Sequence, residues 1–546
     1  MANSPLILTE PPLVVFAGPD QPGPTLVACD LATGETRWVS EGGGAGYSSP
    51  RLLVLGGVRQ IVSVNYTDVS GTDPFTLGVA SGDPWTDSVV LWTRLAPRPL
   101  EPDGLGGMPP QPVSVRWEVA TDDRFMRVVR RGQVAALPQH AHAVHVEVAG
   151  LASGRAYYYR FEAMGHRSRT GRTRTTPARG SLDPAKIAVA SCARYETGYF
   201  TAYRHMASER PDLVLHLGDY IYEYAGNPKT PVARPFDQGE IASLTDYRLR
   251  YARYRLDPDL QALHAVAPFA VVWDDHEVDN NWAADVAEDD QTREQLLARR
   301  AAAFQAHYEA MPLRLGAAPS GPHSRLYREL AWGDLANLYM LDTRQFRDDQ
   351  PCGDGNKVDC TERLVPTRTM LGTEQERWLK ARAVASRARW DVLGQQVFFG
   401  ELWRPLPDGR DALPMDSWNG YAAARGRVVE MFADRARNFV VLTGDVHRHY
   451  AGSLPADARD PESRPIGAEF VTTSITSSGD GTDDPGVTEP ILQRNPNLRY
   501  TCDRRGYLMM EVTPQTWTTH YRVVPFVTRP DARLETRRPF VVEAGV

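Results

Sequence analysis

Short apolar runs recur along the whole chain, and their rhythm changes twice. Over residues 1–65 the runs PLVVFAG, TLVACDLATGETRWVS and RQIVSVN are of β type, cut by Gly, Pro and Asp turns. From about residue 74 apolar and polar positions alternate in FTLGVASGDPWTDSVVLWTRL, VSVRWEVATD, VVRRGQVAA, HVEVAGL and AYYYRFEAMG. Alternation at this spacing, with turn residues between, predicts a small all-β sandwich ending near residue 178, where TTPARGSLDP reads as a linker. From AKIAVASC onward the units lengthen, and continuous apolar strands alternate with helix-like stretches, which predicts an α/β sheet. The expected organisation is an appended β-type segment over 1–70, a β-sandwich over 74–178, an α/β domain over 184–525 and a tail over 526–546.

The α/β part is informative at its strand ends. KIAVA delivers Ser191 and Cys192, and DLVLHL delivers Gly218 and Asp219 with Tyr222 three residues on. PFAVVW runs into Asp274–Asp275–His276–Glu277, and NFVVLT runs into Gly444–Asp445–Val446–His447. Two further strands, NLYML and VLGQQVFF, lead to Asp342–Thr343–Arg344 and toward Trp403. Open α/β sheets bind ligands beyond the carboxyl ends of their strands, so these residues are expected to converge on one crevice. Each feature has an ordinary explanation: a buried cysteine is a small hydrophobe, Gly-Asp is a turn, and acidic residues favour helix N-termini. Four strand ends carrying metal-ligand types together favour a metal site. Carboxylates suit Ca²⁺ or Mg²⁺, whereas phenolate and thiolate suit trivalent iron, so a mixed multinuclear centre is expected.

Composition then narrows the class. At 546 residues the chain calls for two or three domains. Its 42% hydrophobic and 24% charged content is that of a globular protein, and the net charge of −7 offers no basic footprint for nucleic acid. No apolar run is long enough for a transmembrane helix. The opening MANSPLILTEPPLVVFAG lacks the basic start and small-residue cleavage site of a secretory signal. Among five cysteines only Cys352 and Cys360 lie close together, in PCGDGNKVDC, where a local disulfide is expected to favour an oxidising compartment.

The blocks FTLGVASGDP with VVLWTRL, VASC, LHLGDYIYEY, VVWDDHEVDNNWA, MDSWNGY and LTGDVHRHYAG resemble the PhoD-type alkaline phosphatases of the calcineurin-like metallophosphoesterase superfamily, over about residues 74–525. The piece TLVACDLATGETRWVS resembles one blade of a quinoprotein-type β-propeller, and a lone blade cannot close a propeller. The first resemblance implies an α/β metallophosphoesterase sandwich behind an Ig/fibronectin-like β-sandwich. It also implies one Fe³⁺ and about two Ca²⁺ ions, and hydrolysis of small phosphate esters by a metal-held oxygen nucleophile, in the service of phosphate acquisition. Carried over by position, the metal ligands are Cys192, Asp219 (bridging), Tyr222, Asp275, Asp445 and His447, with Asp416 and Asn419 as further calcium or phosphate contacts. Where Asn419 stands the family pattern has Asp. His276 is expected to stabilise the pentavalent charge or protonate the leaving oxygen, with Asp219 the second catalytic residue. Asn281, Arg194 and Arg448 are candidates for substrate contact, and Glu223 and Tyr224 for the crevice wall. A phosphodiesterase or phospholipase would use the same metals, with the insert 225–245 and the loop 345–370 deciding access. A non-catalytic metal-binding protein is the reading from another class, and the retained ligands speak against it. A monomer is expected. Family members are exported in folded form by the twin-arginine route, and no Arg-Arg start is visible here.

Overall fold

The computed structural model describes residues 72–545 except 227–231, 237–238, 434–437, 458–459 and 461–462; before residue 72 it describes strand segments between 6 and 62 and the turn near 32–33. Part of the insert 225–245 therefore lies outside the described residues. The chain divides into two compact units, Met1–Asp73 with Gly107–Gln111, and the remainder. In the first, Leu6–Thr9, Pro12–Ala17, Leu26–Asp30 and Thr36–Val39 form an antiparallel four-stranded meander, and Arg51–Leu55 pairs with Val58–Val62 as a hairpin. Asp30 holds its turn by accepting from the Ala32 and Thr33 amides and by pairing with Arg37 at 2.8 Å.

The second unit is built on two large sheets. A ten-stranded mixed sheet has Pro268–Val272, Leu213–Leu217 and Ala185–Ala190 as its parallel centre, with Ile187 beside Leu213 and Val214 beside Phe269. A seven-stranded mixed sheet has Ala336–Met340, Trp390–Gln395, Phe439–Thr443 and Pro465–Val471 as its parallel run. The strands LVLHL, PFAVV and FVVLT are buried at every position, which is why they read as unbroken apolar runs. Leu215 and Leu217 from one sheet share a core with Leu338, Met340, Val440 and Leu442 from the other, so the sheets stack face to face.

Helices cover the outer faces: Thr201–Glu209, Leu244–Arg255, Pro258–Val266 and Arg293–Ala310 on one side, Gly372–Ala385 and Ala422–Ala433 on the other. Their starts are written in the sequence. Ser243 with Asp246, and Thr292 with Gln295, form reciprocal capping boxes, and Asp257 caps a helix that opens on Pro258.

The β-rich stretch after residue 74 forms two sheets as alternation predicts, but one of them is not separate from the α/β part. Val113–Ala120, Val128–Ala136 and Ala156–Ala163, with two shorter strands, make a five-stranded antiparallel sheet. Val79–Gly82, Val89–Arg94 and Ala143–Val148 instead extend the ten-stranded sheet, because Val79–Gly82 pairs in parallel with Pro268–Val272. Gly82 makes this close approach possible: a Cβ there would lie 2.3 Å from the Pro312 carbonyl oxygen and 2.8 Å from that of Phe269. Segment 526–546, read as a tail, likewise adds strands Glu535–Thr536 and Phe540–Glu543 to the edge beside Thr516–Val524.

Three of the buried histidines are each bonded to a tyrosine hydroxyl: His216 to Tyr203 at 2.9 Å, His264 to Tyr220 at 2.9 Å and His307 to Tyr251 at 3.0 Å. Burial pulls His216 and His307 down to about 3 and His264 well below the ordinary value. Folded protein therefore binds fewer protons than unfolded chain, so this contribution is complete above about pH 6.5 and is lost as pH falls toward 3. At pH 5 each of His216 and His307 is expected to cost roughly 2 kcal/mol. The unfolding midpoint should drop between pH 7 and 5, with a shallower slope in His307→Gln; equal slopes would rule out the assignment.

Candidate metal centre

The carboxyl ends of Ala185–Ala190, Leu213–Leu217, Pro268–Val272 and Phe439–Thr443 open on one side of the stacked sheets. The turns that follow are unusual. Cys192, Asp219, Asp445 and His447 all sit in the left-handed region, with φ of 60°, 54°, 57° and 55°. Non-glycine residues adopt it at a cost that surrounding structure must offset, and such strain concentrates at functional sites. Gly218 precedes one of these turns with φ of 99°; a Cβ there would lie 2.4 Å from the Asp274 Cβ. The two loops touch at that point, and only glycine fits.

The side chains converge as three linked groups. Ligand atoms of Cys192, Asp219 and His447 lie within 4.8 Å of one another, as do those of Asp219, Asp275 and His276, and those of Asp274, Asp275 and Asp445. Asp219 joins the first group to the second, and Asp275 joins the second to the third. Tyr222 closes the first group: its hydroxyl donates to Asp219 Oδ2 at 2.9 Å and lies 3.1 Å from His447 Nε2. Ser477 Oγ donates to the same phenol at 2.8 Å, and Ser478 Oγ lies 3.0 Å from His447 Nδ1.

The electrostatics call for cations. Asp219 Oδ1, Asp274 Oδ2 and Asp275 Oδ1 are buried and make no hydrogen bond among the described residues. Burial, joined by the Asp219 and Asp445 carboxylates, pushes the Cys192 thiol well up. Burial likewise drives Asp219 well above the carboxylate range, and pushes Asp445 up to about 6 against the pull of Arg344. Buried carboxylates left without partners are costly unless a cation meets them, and a bound ion reverses these shifts. The donor set therefore fits metal ions: thiol, phenol, imidazole and one carboxylate at one end, carboxylates at the other.

Several supporting contacts are not legible in the sequence. Glu277 accepts from the backbone amides of Asp219, Tyr220 and Asp274, at 3.0, 2.5 and 2.8 Å, and so fastens two ligand loops together. Glu223, read as crevice wall, accepts from His276 Nδ1 at 2.8 Å and from the Asn280 amide at 2.9 Å. Burial pulls His276 down, but the Glu223, Asp275 and Asp219 carboxylates outweigh it and push the imidazole well above its ordinary value. Glu223→Gln is expected to lower kcat/KM about 10–100-fold with an unchanged unfolding midpoint, the usual cost of losing the partner that orients a site histidine. Activity within twofold of wild type would refute the orienting role.

The other candidates fall at varying distances from the ligand groups. Asp416 is held by Arg344 Nη1 at 3.0 Å, Arg347 Nη2 at 2.6 Å and Gln350 Nε2 at 2.8 Å, so it faces cations that the chain itself supplies. Asn419 is not brought to the ligand atoms in the same way: its amide is committed to Ser417 Oγ at 2.7 Å and to the Leu402 N–H at 3.3 Å. Asn281 donates its amide N–H to Asp275 Oδ2 at 2.9 Å and its side chain to Asp354 Oδ2 at 2.9 Å. Asp354 stands in the loop closed by a disulfide between Cys352 and Cys360, as the spacing suggested. Arg194 pairs with Glu196 and lies over the rings of Tyr222 and Tyr224, at 5.8 and 5.1 Å. Arg448 pairs with Asp503 at 3.4 Å.

Two stacked mixed sheets under outer helices, with metal-ligand residues at the strand ends, define a metallophosphoesterase-type sandwich. A purple acid phosphatase from yellow lupin (Lupinus luteus) shares this fold at 10% identity, with a TM-score of 0.52 over 95% of this chain and 78% of that one. Residues 187–521 match the PhoD-like phosphatase family, and residues 62–177 match the N-terminal domain of PhoD-like phosphatases. Alkaline phosphatase D of Bacillus subtilis (strain 168) is 51% identical over 475 residues, 86% of this chain and 81% of that protein. The solved structure of PhoD is 49% identical and superimposes with a TM-score of 0.84 over 88% of this chain and 92% of that one. This chain belongs to the PhoD-like phosphatase family.

Proposed function

We propose that this protein is a metal-dependent alkaline phosphatase that hydrolyses phosphate monoesters at the centre built on Asp219. The observation that carries the reading is the linked string of three ligand groups, shared at Asp219 and Asp275 and unlike at its two ends. The thiol, phenol and imidazole of Cys192, Tyr222 and His447 suit one Fe³⁺, and the carboxylate end, with Asp275 and Asp445, suits Ca²⁺. Such ions, when bound, supply Lewis-acid charge that neutralises the phosphoryl oxygens and orients the ester for in-line attack.

The chain's own groups do the rest. Asp219 lies at the junction of the first two groups and fixes their separation, while Glu277 holds its backbone. With Nδ1 committed to Glu223, His276 has Nε2 left to stabilise charge on the phosphoryl group or to pass a proton to the leaving oxygen. Arg194 adds positive charge beside the Tyr222 and Tyr224 rings, where an anionic ester enters, and Asn281 braces Asp275 through its amide. Arg448 is assigned a supporting contact to the ester, with Asp503 as its resting partner. Asp416 is assigned to the acidic wall. The four-stranded meander at residues 6–39 has the strand number of a propeller blade, which supports that likeness.

Hydrolysis of p-nitrophenyl phosphate at alkaline pH tests the reading. Activity should fall to background on chelation and return when calcium is added to the iron-loaded protein. Turnover that ignores chelators would overturn it. The bis-ester, assayed in parallel, measures how far the crevice admits diesters. A visible tyrosinate–iron band lost in Tyr222→Phe would test the iron assignment separately.

A further inference from the structure

Arg344 is among the least exposed cations of the molecule, at 0% accessibility, and it stands inside the acidic cluster. It leaves the strand Ala336–Met340 through the turn Leu341–Asp342–Thr343, where Asp342 Oδ1 accepts from the Arg344 amide at 3.0 Å. The Arg344 carbonyl accepts from the Ala284 amide at 3.0 Å, so the backbone is fixed on both sides. Its guanidinium meets three carboxylates from two separate loops. Nε pairs with Asp274 Oδ1, Nη1 lies 3.0 Å from Asp416 Oδ2, and Nη2 lies 3.3 Å from Asp275 Oδ1. Two of the three, Asp274 and Asp275, belong to the third ligand group, and Asp275 is also shared with the second.

The Asp275 contact differs from the other two. Arg344 Nη2 and Asp275 Oδ1 are both buried, and neither makes a hydrogen bond among the described residues. The guanidinium therefore neutralises Asp275 without saturating the oxygen that an ion would take.

We propose that Arg344 is a built-in cation that holds the acidic wall together before metal loads and competes with Ca²⁺ for Asp275 afterwards. The inference rests on the proposed metal centre. Without Arg344, Asp274 and Asp275 would lose their arginine partner and face one another buried, while Asp416 would keep only Arg347 and Gln350, and the empty centre would splay. With it, the metal-free protein keeps its ligands in place, and calcium affinity is weaker than the carboxylates alone would give. A positive charge a few ångströms from a divalent ion weakens binding by at least about tenfold. Arg344 is thus a positioning residue.

The test uses chelator-treated full-length protein, calcium chloride as the probe, calorimetric titration for affinity and thermal unfolding for stability. Arg344→Met is expected to lower the metal-free midpoint by about 4 °C, to regain much of that loss in saturating calcium, and to bind calcium at least about tenfold more tightly than wild type. A purely structural arginine would lower the midpoint equally with and without calcium and would leave affinity unchanged or weaker; that result overturns the proposal. Arg344→Lys keeps the charge and should stay within about 1 °C of wild type without metal. A lysine variant that falls as far as the methionine one also overturns it. Should Arg344→Met not fold, the double variant Asp274→Asn with Arg344→Met decides: removing one anion with the cation should restore a folded metal-free protein, and failure to do so counts against the proposal. Wild type that binds no calcium would instead overturn the metal centre itself.

Discussion

Asp219→Ala is expected to lower kcat/KM for p-nitrophenyl phosphate by at least about a thousandfold, a loss of about 4 kcal/mol of transition-state stabilisation. Asp219 is the one residue common to the group that holds Cys192 and His447 and the group that holds Asp275 and His276, and its Oδ2 also accepts from Tyr222. Removing it takes a candidate ligand from two groups at once and deprives the phenol of the carboxylate it donates to. Asp219→Asn gives the sharper comparison, because it keeps the shape and loses the charge. If either variant retained a tenth of wild-type turnover, Asp219 would not be the junction of the centre. The folded state should survive both changes, since burial costs the carboxylate in the absence of metal. The metal-free unfolding midpoint is therefore expected to hold or rise, which separates lost chemistry from lost fold.

Cys192→Ala is the second large effect, with an expected loss of about a hundredfold or more and a change in the visible spectrum. The thiol is fully buried, in a left-handed turn, with Asp219 and Asp445 nearby pushing it toward the protonated form. Burial and the Asp219, Asp445 and Asp274 carboxylates together outweigh the Ser191 hydrogen bond and disfavour thiolate there. A buried sulfur beside carboxylates becomes an anion only when a cation binds it. The iron-loaded wild-type protein should therefore show sulfur- and phenol-derived charge-transfer absorption. Cys192→Ala should lose the sulfur part, while Tyr222→Phe loses the phenol part. Identical spectra in wild type and Cys192→Ala would remove the cysteine from the ligand set. Cys192→Ser is expected to retain more structure than activity, because an alkoxide is harder to generate at the same position.

Much of the candidate centre is legible because the residues that could hold metal sit at the ends of unbroken apolar strands. Such strands announce themselves, and the residue that follows each one is fixed in space by the sheet. The strand ends point to Cys192, Asp219, Asp275, Asp445 and His447, and the structure brings these side chains together in linked groups. Residues that act through another residue leave no comparable trace. Glu223 looks like crevice wall until His276 Nδ1 is seen 2.8 Å away, and Glu277 acts on backbone amides that carry no sequence signature. Ser477 lies far along the chain from Tyr222 and meets it only through the fold. Asp416 and Asn419 were placed by motif alone, and the structure gives one to arginines and the other to Ser417 and the Leu402 amide. One sheet pairing is not legible in the sequence for a similar reason. Alternation shows that residues 79–94 form strands, but not that Gly82 lets one of them lie against Pro268–Val272.

The order of strands in the ten-stranded sheet bears on how the chain is made. Val79–Gly82 and Leu213–Leu217 flank Pro268–Val272, and Arg505–Val512 lies against Ala185–Ala190 from near the opposite terminus. During synthesis the early strands emerge long before the partners that cover their edges, and unpaired edges are sites of mispairing. The five-stranded antiparallel sheet, whose strands are close in sequence, can form first. The central sheet closes only when the last strands leave the ribosome. A chain stopped short of Arg505 would present a bare edge beside the loop that carries Cys192, so loss of the C-terminal strands should produce aggregation rather than a weakened enzyme.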